Sequence, residues 1–220
     1  MAIAVLKKSI LAQNDRAAEQ TRQLLNRHNV VAFNIMGGAG CGKTTLLERV
    51  IPVLKRDLRV AVLEGDLATT KDATRIDALG VPVVQLLTEG GCHLTATLVN
   101  EGLKNLALDE LDLLLIENVG NPICPANFDL GEHERIAVLS VTEGDDKPAK
   151  YPFLFKIADL VVITKMDLIE VTDFDAEKAT TDIHVLDPEK KVIRVAAIKT
   201  GADEVAEWLL TRCRALARLA

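Results

Sequence analysis

Val31-Ala-Phe-Asn-Ile-Met36 runs directly into Gly37-Gly-Ala-Gly-Cys-Gly-Lys-Thr44 and then Thr45-Leu-Leu-Glu-Arg-Val-Ile51. The first six residues are mostly apolar and rich in β-formers, which predicts a buried strand. The next eight satisfy G-x-x-x-x-G-K-[ST], with Gly37, Gly42, Lys43 and Thr44 in the required places. The last stretch carries apolar residues at helical spacing. Gly37, Gly38, Gly40 and Gly42 let the backbone turn its N–H groups inward onto an anion. The helix N-terminus adds the positive end of its dipole. Lys43 is placed to reach the β- and γ-phosphates, and the Thr44 hydroxyl to ligate Mg²⁺. A glycine-rich turn with no ligand is the alternative, and the strand before it and helix after it argue against that. The nucleotide-binding set therefore takes in Gly37, Gly38, Ala39, Gly40, Cys41, Gly42, Lys43, Thr44 and Thr45, and the bound species is a nucleoside triphosphate.

At 220 residues, a single α/β domain with one core is expected. Apolar residues make up 49% and aromatic residues 3%, so that core is built from Leu, Val, Ile and Ala. A net charge of −6 argues against nucleic acid or anionic membrane as a general electrostatic partner. No apolar run approaches the roughly 18 residues a membrane span needs. Met1-Ala-Ile-Ala-Val-Leu-Lys-Lys8 places its apolar residues before its positive pair, the reverse of a signal peptide, so a cytoplasmic location is expected. The cysteines are Cys41, Cys92, Cys124 and Cys213. In a cytosolic chain, ligand or reactive roles suit them better than disulfides.

Along the chain, residues 6–27 read as an amphipathic helix that covers a sheet face or meets a second subunit. Residues 1–30 then form a helical extension and 31–220 the nucleotide-binding domain, one domain in all. Further strands are expected at 59–63, 82–87, 113–116, 135–141, 159–164 and 191–196. Helices are expected at 73–79, 94–107, 148–157, 175–185 and 203–219. Strands alternating with helices predict a mostly parallel sheet covered on both faces, the P-loop NTPase type of α/β fold.

Glu117 ends the apolar strand Leu113-Leu-Leu-Ile116, where open α/β sheets place their ligand chemistry. Its carboxylate suits a Mg²⁺ shell, and Gly120 leaves room for backbone near a γ-phosphate. Asp66 and Asp72 fall in the polar loop Glu64-Gly-Asp-Leu-Ala-Thr-Thr-Lys-Asp72, which either orders around phosphate and metal or is simply a solvated acidic loop. Thr164-Lys-Met-Asp167 follows another apolar strand. Asp167 there accepts both N1–H and N2–H₂ of guanine, whereas adenine would leave it poorly paired, and Lys165 lies along the base. That selects GTP over ATP. Lys199 sits where a second base-contacting loop would fall. Cys92, His93 and Cys124 offer two thiols and an imidazole, a set for Zn²⁺, Ni²⁺ or Cu⁺. Spacing alone is a weak signal for metal, and a buried thiol with an incidental histidine would explain it. Three ligands also fall one short of a structural zinc site, so a second subunit or water would complete the shell.

The runs Glu117-Asn-Val-Gly-Asn-Pro-Ile-Cys-Pro-Ala126, Thr142-Glu-Gly-Asp-Asp-Lys-Pro-Ala-Lys-Tyr-Pro152 and Gly91-Cys-His-Leu94 resemble the HypB family. These are GTPases that help deliver nickel during [NiFe]-hydrogenase maturation, and the resemblance runs from about residue 5 to the C-terminus. It implies GTP and GDP as ligands, catalysis by Lys43, Thr44, Asp72 and Glu117, and Mg²⁺ on Thr44, Asp72 and Glu117. It implies Ni²⁺ or Zn²⁺ on Cys92, His93 and Cys124 at the interface of a GTP-dependent homodimer. The implied partners are a HypA-type nickel chaperone and, indirectly, the hydrogenase large subunit, with Lys147 and Lys150 near the interface. The chain departs from the family pattern at Thr164 (usually Asn), Ala197 (Ser), Thr95 (Asp) and Cys41 (Ser). It also lacks the N-terminal cysteine motif and His-rich stretch of some members, so no separate tight nickel site is expected. A related GTPase serving urease or a cobalamin enzyme, or a metal-binding scaffold with weak GTPase activity, remain the alternatives.

Overall fold

In the computed structural model, residues 2–196 and 200–217 are described; Ala197 and Lys199 lie outside them. Among the described residues, helices and strands follow in the order α1 (Ala2–Arg27), β1 (Val31–Gly37), α2 (Lys43–Leu54), β2 (Val60–Asp66), α3 (Lys71–Asp77), β3 (Val83–Leu87), α4 (Ala96–Leu103), β4 (Leu113–Glu117), β5 (Glu134–Ser140), α5 (Lys147–Lys150), α6 (Pro152–Ile157), β6 (Leu160–Thr164), α7 (Ala176–Leu186), β7 (Lys191–Arg194) and α8 (Ala202–Leu216). Every strand pairing is parallel, and the seven strands run in the order β3-β2-β4-β1-β5-β6-β7.

All seven residues of β1 and all five of β4 are buried, because helices cover both faces. Side-chain alternation then sorts the core into two layers. Val31, Phe33 and Ile35 of β1 face α2 and α8, with Leu47, Ile51 and Leu209. Ala32 and Leu114 face the other way, with Leu25 of α1 and Val99 of α4. Leu154 and Phe155 of α6 and Ile183 of α7 close that second layer over β5 and β6. In α1, Asn14, Ala18, Thr21 and Leu25 are buried at helical spacing, so the helix lies on the sheet and packs against α4.

Several boundaries differ from the sequence expectation, each for a local reason. β2 continues through Glu64-Gly65-Asp66, because pairing with β3 holds all three extended, with β4 also flanking Glu64. Helix 148–157 is broken into α5 and α6 at Tyr151, whose φ −123 and ψ 52 are non-helical; the ring of Pro152 disfavours helical geometry at the residue before it. α4 starts only at Ala96, because the Thr95 hydroxyl accepts the Leu98 N–H as its N-cap.

Candidate functional site

Parallel strands deliver their chemistry at their C-terminal ends, and here those of β1, β2 and β4 open onto one cleft of about 440 Å³. The phosphate loop forms one wall. Gly42 caps α2 with φ 98, a left-handed conformation glycine adopts without strain. Lys43 is buried, and its Nζ donates to the carbonyls of Gly37 and Gly38 at 3.4 Å each. Ala39, Gly40, Gly42, Lys43, Thr44 and Thr45 line the cleft. Cys41 does not: its side chain is fully buried in the core beneath the loop, where burial pushes the thiol up to about 11. Glu143, from the turn after β5, accepts the Ser140 N–H and lies over Gly38.

Carboxylates form the opposite wall. Glu117 Oε1 accepts the Thr44 hydroxyl at 2.7 Å. β2 and β4 pair in a register that sets Glu64 beside Glu117. Both are almost wholly buried, and each keeps one oxygen, Oε2, without a hydrogen-bond partner. Burial, and for Glu64 the charge of Glu117, raises their carboxyls to about 8 for Glu64 and about 7 for Glu117. Oxygens of Glu64, Asp66 and Asp72 lie within 4.8 Å of one another. Buried carboxylates with unpartnered oxygens beside a threonine hydroxyl form an all-oxygen donor set that suits a hard divalent cation. Asp66 ends β2 and caps its own turn, accepting from the Leu67 N–H and the Thr69 hydroxyl. Asp72 opens α3 and pairs with Arg75 at 2.9 Å. Arg75 also reaches Glu48 at 2.8 Å and the Thr45 hydroxyl at 3.0 Å, tying the loop after β2 to α2.

On the base side the residues separate. Thr164 is buried, and its hydroxyl donates to the Cys41 carbonyl at 2.5 Å; it braces the phosphate loop from beneath instead of facing the cleft. Lys165 lines the cleft, and its Nζ donates to Gly40 O at 2.7 Å. Asp167, in the 3₁₀ turn after β6, is half-buried and lies beyond the cleft wall.

Cys92, His93 and Cys124 meet: their ligand atoms all lie within 4.8 Å of one another. Cys92 follows β3 and Cys124 follows β4, so the parallel sheet brings both to the end that carries the phosphate loop. The His93 ring stacks on Phe128, centroids 3.8 Å apart, and burial lowers its pKa, which favours the neutral, metal-binding imidazole. Cys92 is exposed and Cys124 half-buried. The other histidines are engaged elsewhere: His28 with Asp109, His133 with Asn26 and the Ala32 N–H, His184 with Lys190 O. Lys147 and Lys150 both pair with Asp146.

Residues 31–194 match the family described as "CobW/HypB/UreG, nucleotide-binding domain". A "probable hydrogenase maturation factor HypB" of Methanocaldococcus jannaschii is 47% identical over 206 residues, spanning 93% of both chains. The chain belongs to the HypB family. The HypB of Escherichia coli K12, a hydrogenase maturation factor, is 43% identical over 93% of this chain and 71% of its own length. A crystal structure of HypB from Helicobacter pylori in complex with nickel superimposes with a TM-score of 0.88 at 35% identity, covering 93% of this chain and 97% of that one. Like other members of this family, the chain has a P-loop nucleotide-binding domain.

Glu64, which the sequence places at the start of a polar loop, stands in the structure beside Glu117. Two asparagines in the HypB-like run carry no catalytic or ligand signal in the sequence. Asn118 accepts the Leu94 N–H at 3.3 Å, and the Asn121 side chain touches both cysteine segments. The available signal was an acidic residue ending an apolar strand, the same pattern that marked Glu117.

Proposed function

We propose that this protein is a GTP-hydrolysing switch that delivers nickel during [NiFe]-hydrogenase maturation, with metal binding and dimerisation coupled to nucleotide state. One observation carries the reading. The thiol–imidazole trio and the phosphate loop occupy the same end of one sheet, and Glu117 at the nucleotide cleft lies seven residues before Cys124.

In this reading the loop N–H groups and Lys43 bind the triphosphate, while Lys165 and Asp167 select guanine and Lys199 supports the base. Thr44, Asp72 and Glu117 hold Mg²⁺, which neutralises phosphate charge when bound. Asp66 and Asp72 order their loop around the nucleotide. Nickel is cargo: Cys92, His93 and Cys124 give it three ligands, zinc competes for the same soft set, and a second copy of the chain supplies the rest. Dimerisation with GTP then closes the shell and hydrolysis opens it, so the ion exchanges instead of being held for structure. A HypA-type chaperone hands nickel in, and the hydrogenase large subunit receives it indirectly. The free thiols suit the reducing cytoplasm. Among the described residues no helix is long and apolar enough to cross a membrane.

Nickel and zinc titrations of the wild type and Cys124→Ala, each with and without a non-hydrolysable GTP analogue, test this. The wild type is expected to change nickel affinity by roughly 5- to 150-fold with nucleotide, and Cys124→Ala to lose the response. Nucleotide-independent nickel affinity and dimer fraction in the wild type would refute the switch. Equal GTP turnover in wild type and Lys43→Ala would refute the enzyme.

A further inference from the structure

Asn121 sits between the two halves of the metal trio and is sewn to the phosphate loop. Its backbone forms an isolated antiparallel bridge with Gly37, the first residue of that loop. Its side-chain Oδ1 accepts the N–H groups of Ile123 at 2.8 Å and Cys124 at 3.3 Å. Its Nδ2 donates to the Cys92 carbonyl at 3.3 Å. A single amide thus grips both cysteine segments, adding to the Leu94–Asn118 hydrogen bond and the His93–Phe128 stack that also link them.

The surroundings leave this segment little freedom. A Cβ on Gly120 would lie 2.7 Å from the Ala39 Cα, so the backbone just before Asn121 packs directly on the phosphate loop. On the other side, Leu94 is fully buried against Gly65 of β2, and its N–H is held by Asn118. The chemistry also selects asparagine. A carboxylate has no donor for the Cys92 carbonyl, and a serine hydroxyl offers one donor on a shorter arm.

We propose that Asn121 is a positioning residue for the metal centre: it holds the Cys92 and Cys124 segments at ligand spacing and registers both on the phosphate loop. This rests on the reading of the trio as a nickel site. Asn121 contacts no metal itself. It acts by removing loop disorder that nickel binding would otherwise have to overcome, so its loss appears as weaker affinity and slower thiol pairing.

The test uses the full chain as wild type, Asn121→Ala and Asn121→Asp, with circular dichroism melting to check folding. Nickel is titrated while the thiolate-to-nickel charge-transfer absorption is followed. Separately, with no metal present, the rate at which a short bifunctional thiol reagent cross-links Cys92 to Cys124 is measured. Asn121→Ala is expected to lose ~10- to 100-fold in nickel affinity, the usual scale for residues that orient metal ligands, and to cross-link more slowly. Asn121→Asp keeps the acceptor and loses the donor, so it too cross-links more slowly than wild type. Wild-type cross-linking rates in both variants would overturn the positioning role, as would wild-type nickel affinity in Asn121→Ala. Absence of nickel binding by the wild type would instead overturn the functional reading beneath it.

Discussion

The Thr44 hydroxyl donates to Glu117 Oε1 at 2.7 Å, linking residues 73 positions apart across the mouth of the nucleotide cleft. One comes from the start of α2 and the other from the end of β4, so the bond exists only because β1 and β4 are neighbours. Glutamine at position 117 keeps the shape and the acceptor for Thr44 but removes the charge. Glu117→Gln is expected to slow GTP turnover on the order of 100-fold, as loss of one preorganised electrostatic group does. It should also flatten the Mg²⁺ dependence of nucleotide affinity. Phosphate release measured across a magnesium series checks both.

Gly120 is held to glycine by space. Its backbone lies outside the left-handed region, yet an added Cβ would fall 2.7 Å from the Cα and 3.1 Å from the N of Ala39, both backbone atoms of the phosphate loop. Overpacking of this kind costs about 1–3 kcal/mol, and the loop is the part that must yield. Gly120→Ala should therefore weaken GTP-analogue binding by roughly tenfold while leaving the fold intact. Isothermal titration with a parallel melting curve reads both.

Asp167 carries the base selectivity in the proposed function. Alanine there leaves guanine N1–H and N2–H₂ without their acceptor and gives adenine nothing, so the preference for GTP over ATP should fall by roughly 100-fold. Competition with a fluorescent GTP analogue measures the ratio. An unchanged ratio would move the base-reading role to other residues.

The ring of His133 is held neutral. Its Nδ1 accepts the Ala32 N–H at 3.0 Å, which a protonated ring cannot do. Burial, together with the charge of Arg22, keeps its pKa below the ordinary value. The folded chain thus binds this proton less readily than the unfolded one. The stability gained is complete above about pH 6.5, the usual histidine value, and is lost as pH falls through that point toward the lowered folded pKa. Urea midpoints at pH 7.5 and 5 are expected to differ more for wild type than for His133→Gln, whose amide is uncharged at both.

The elements around the phosphate loop were legible in the linear chain because their causes are local. An apolar β-forming run, glycines where the backbone must turn, and apolar residues every three or four positions identify strand, loop and helix without knowledge of neighbours. The strand–helix alternation made the parallel, doubly covered sheet readable for the same reason. Boundaries failed where a neighbour overrode local preference. Glu64-Gly65-Asp66 reads as a polar loop, but the ladder to β3, joined at Glu64 by the one to β4, keeps it in the sheet.

Thr164 shows the same limit at a single side chain. Its place in Thr-Lys-Met-Asp puts it beside the base-reading residues, while the fold directs its hydroxyl to the Cys41 carbonyl beneath the loop. No spacing rule states that Cys92 and His93 meet Cys124, or that Glu64 stands beside Glu117. Those contacts follow from strand order, with β2 seated between β3 and β4. Strand order is decided by packing summed over the whole core, and no short stretch contains that sum. The linear chain by itself determined which chemical groups this protein carries and which local shapes present them; the tertiary structure alone decided which of those groups stand within reach of one another.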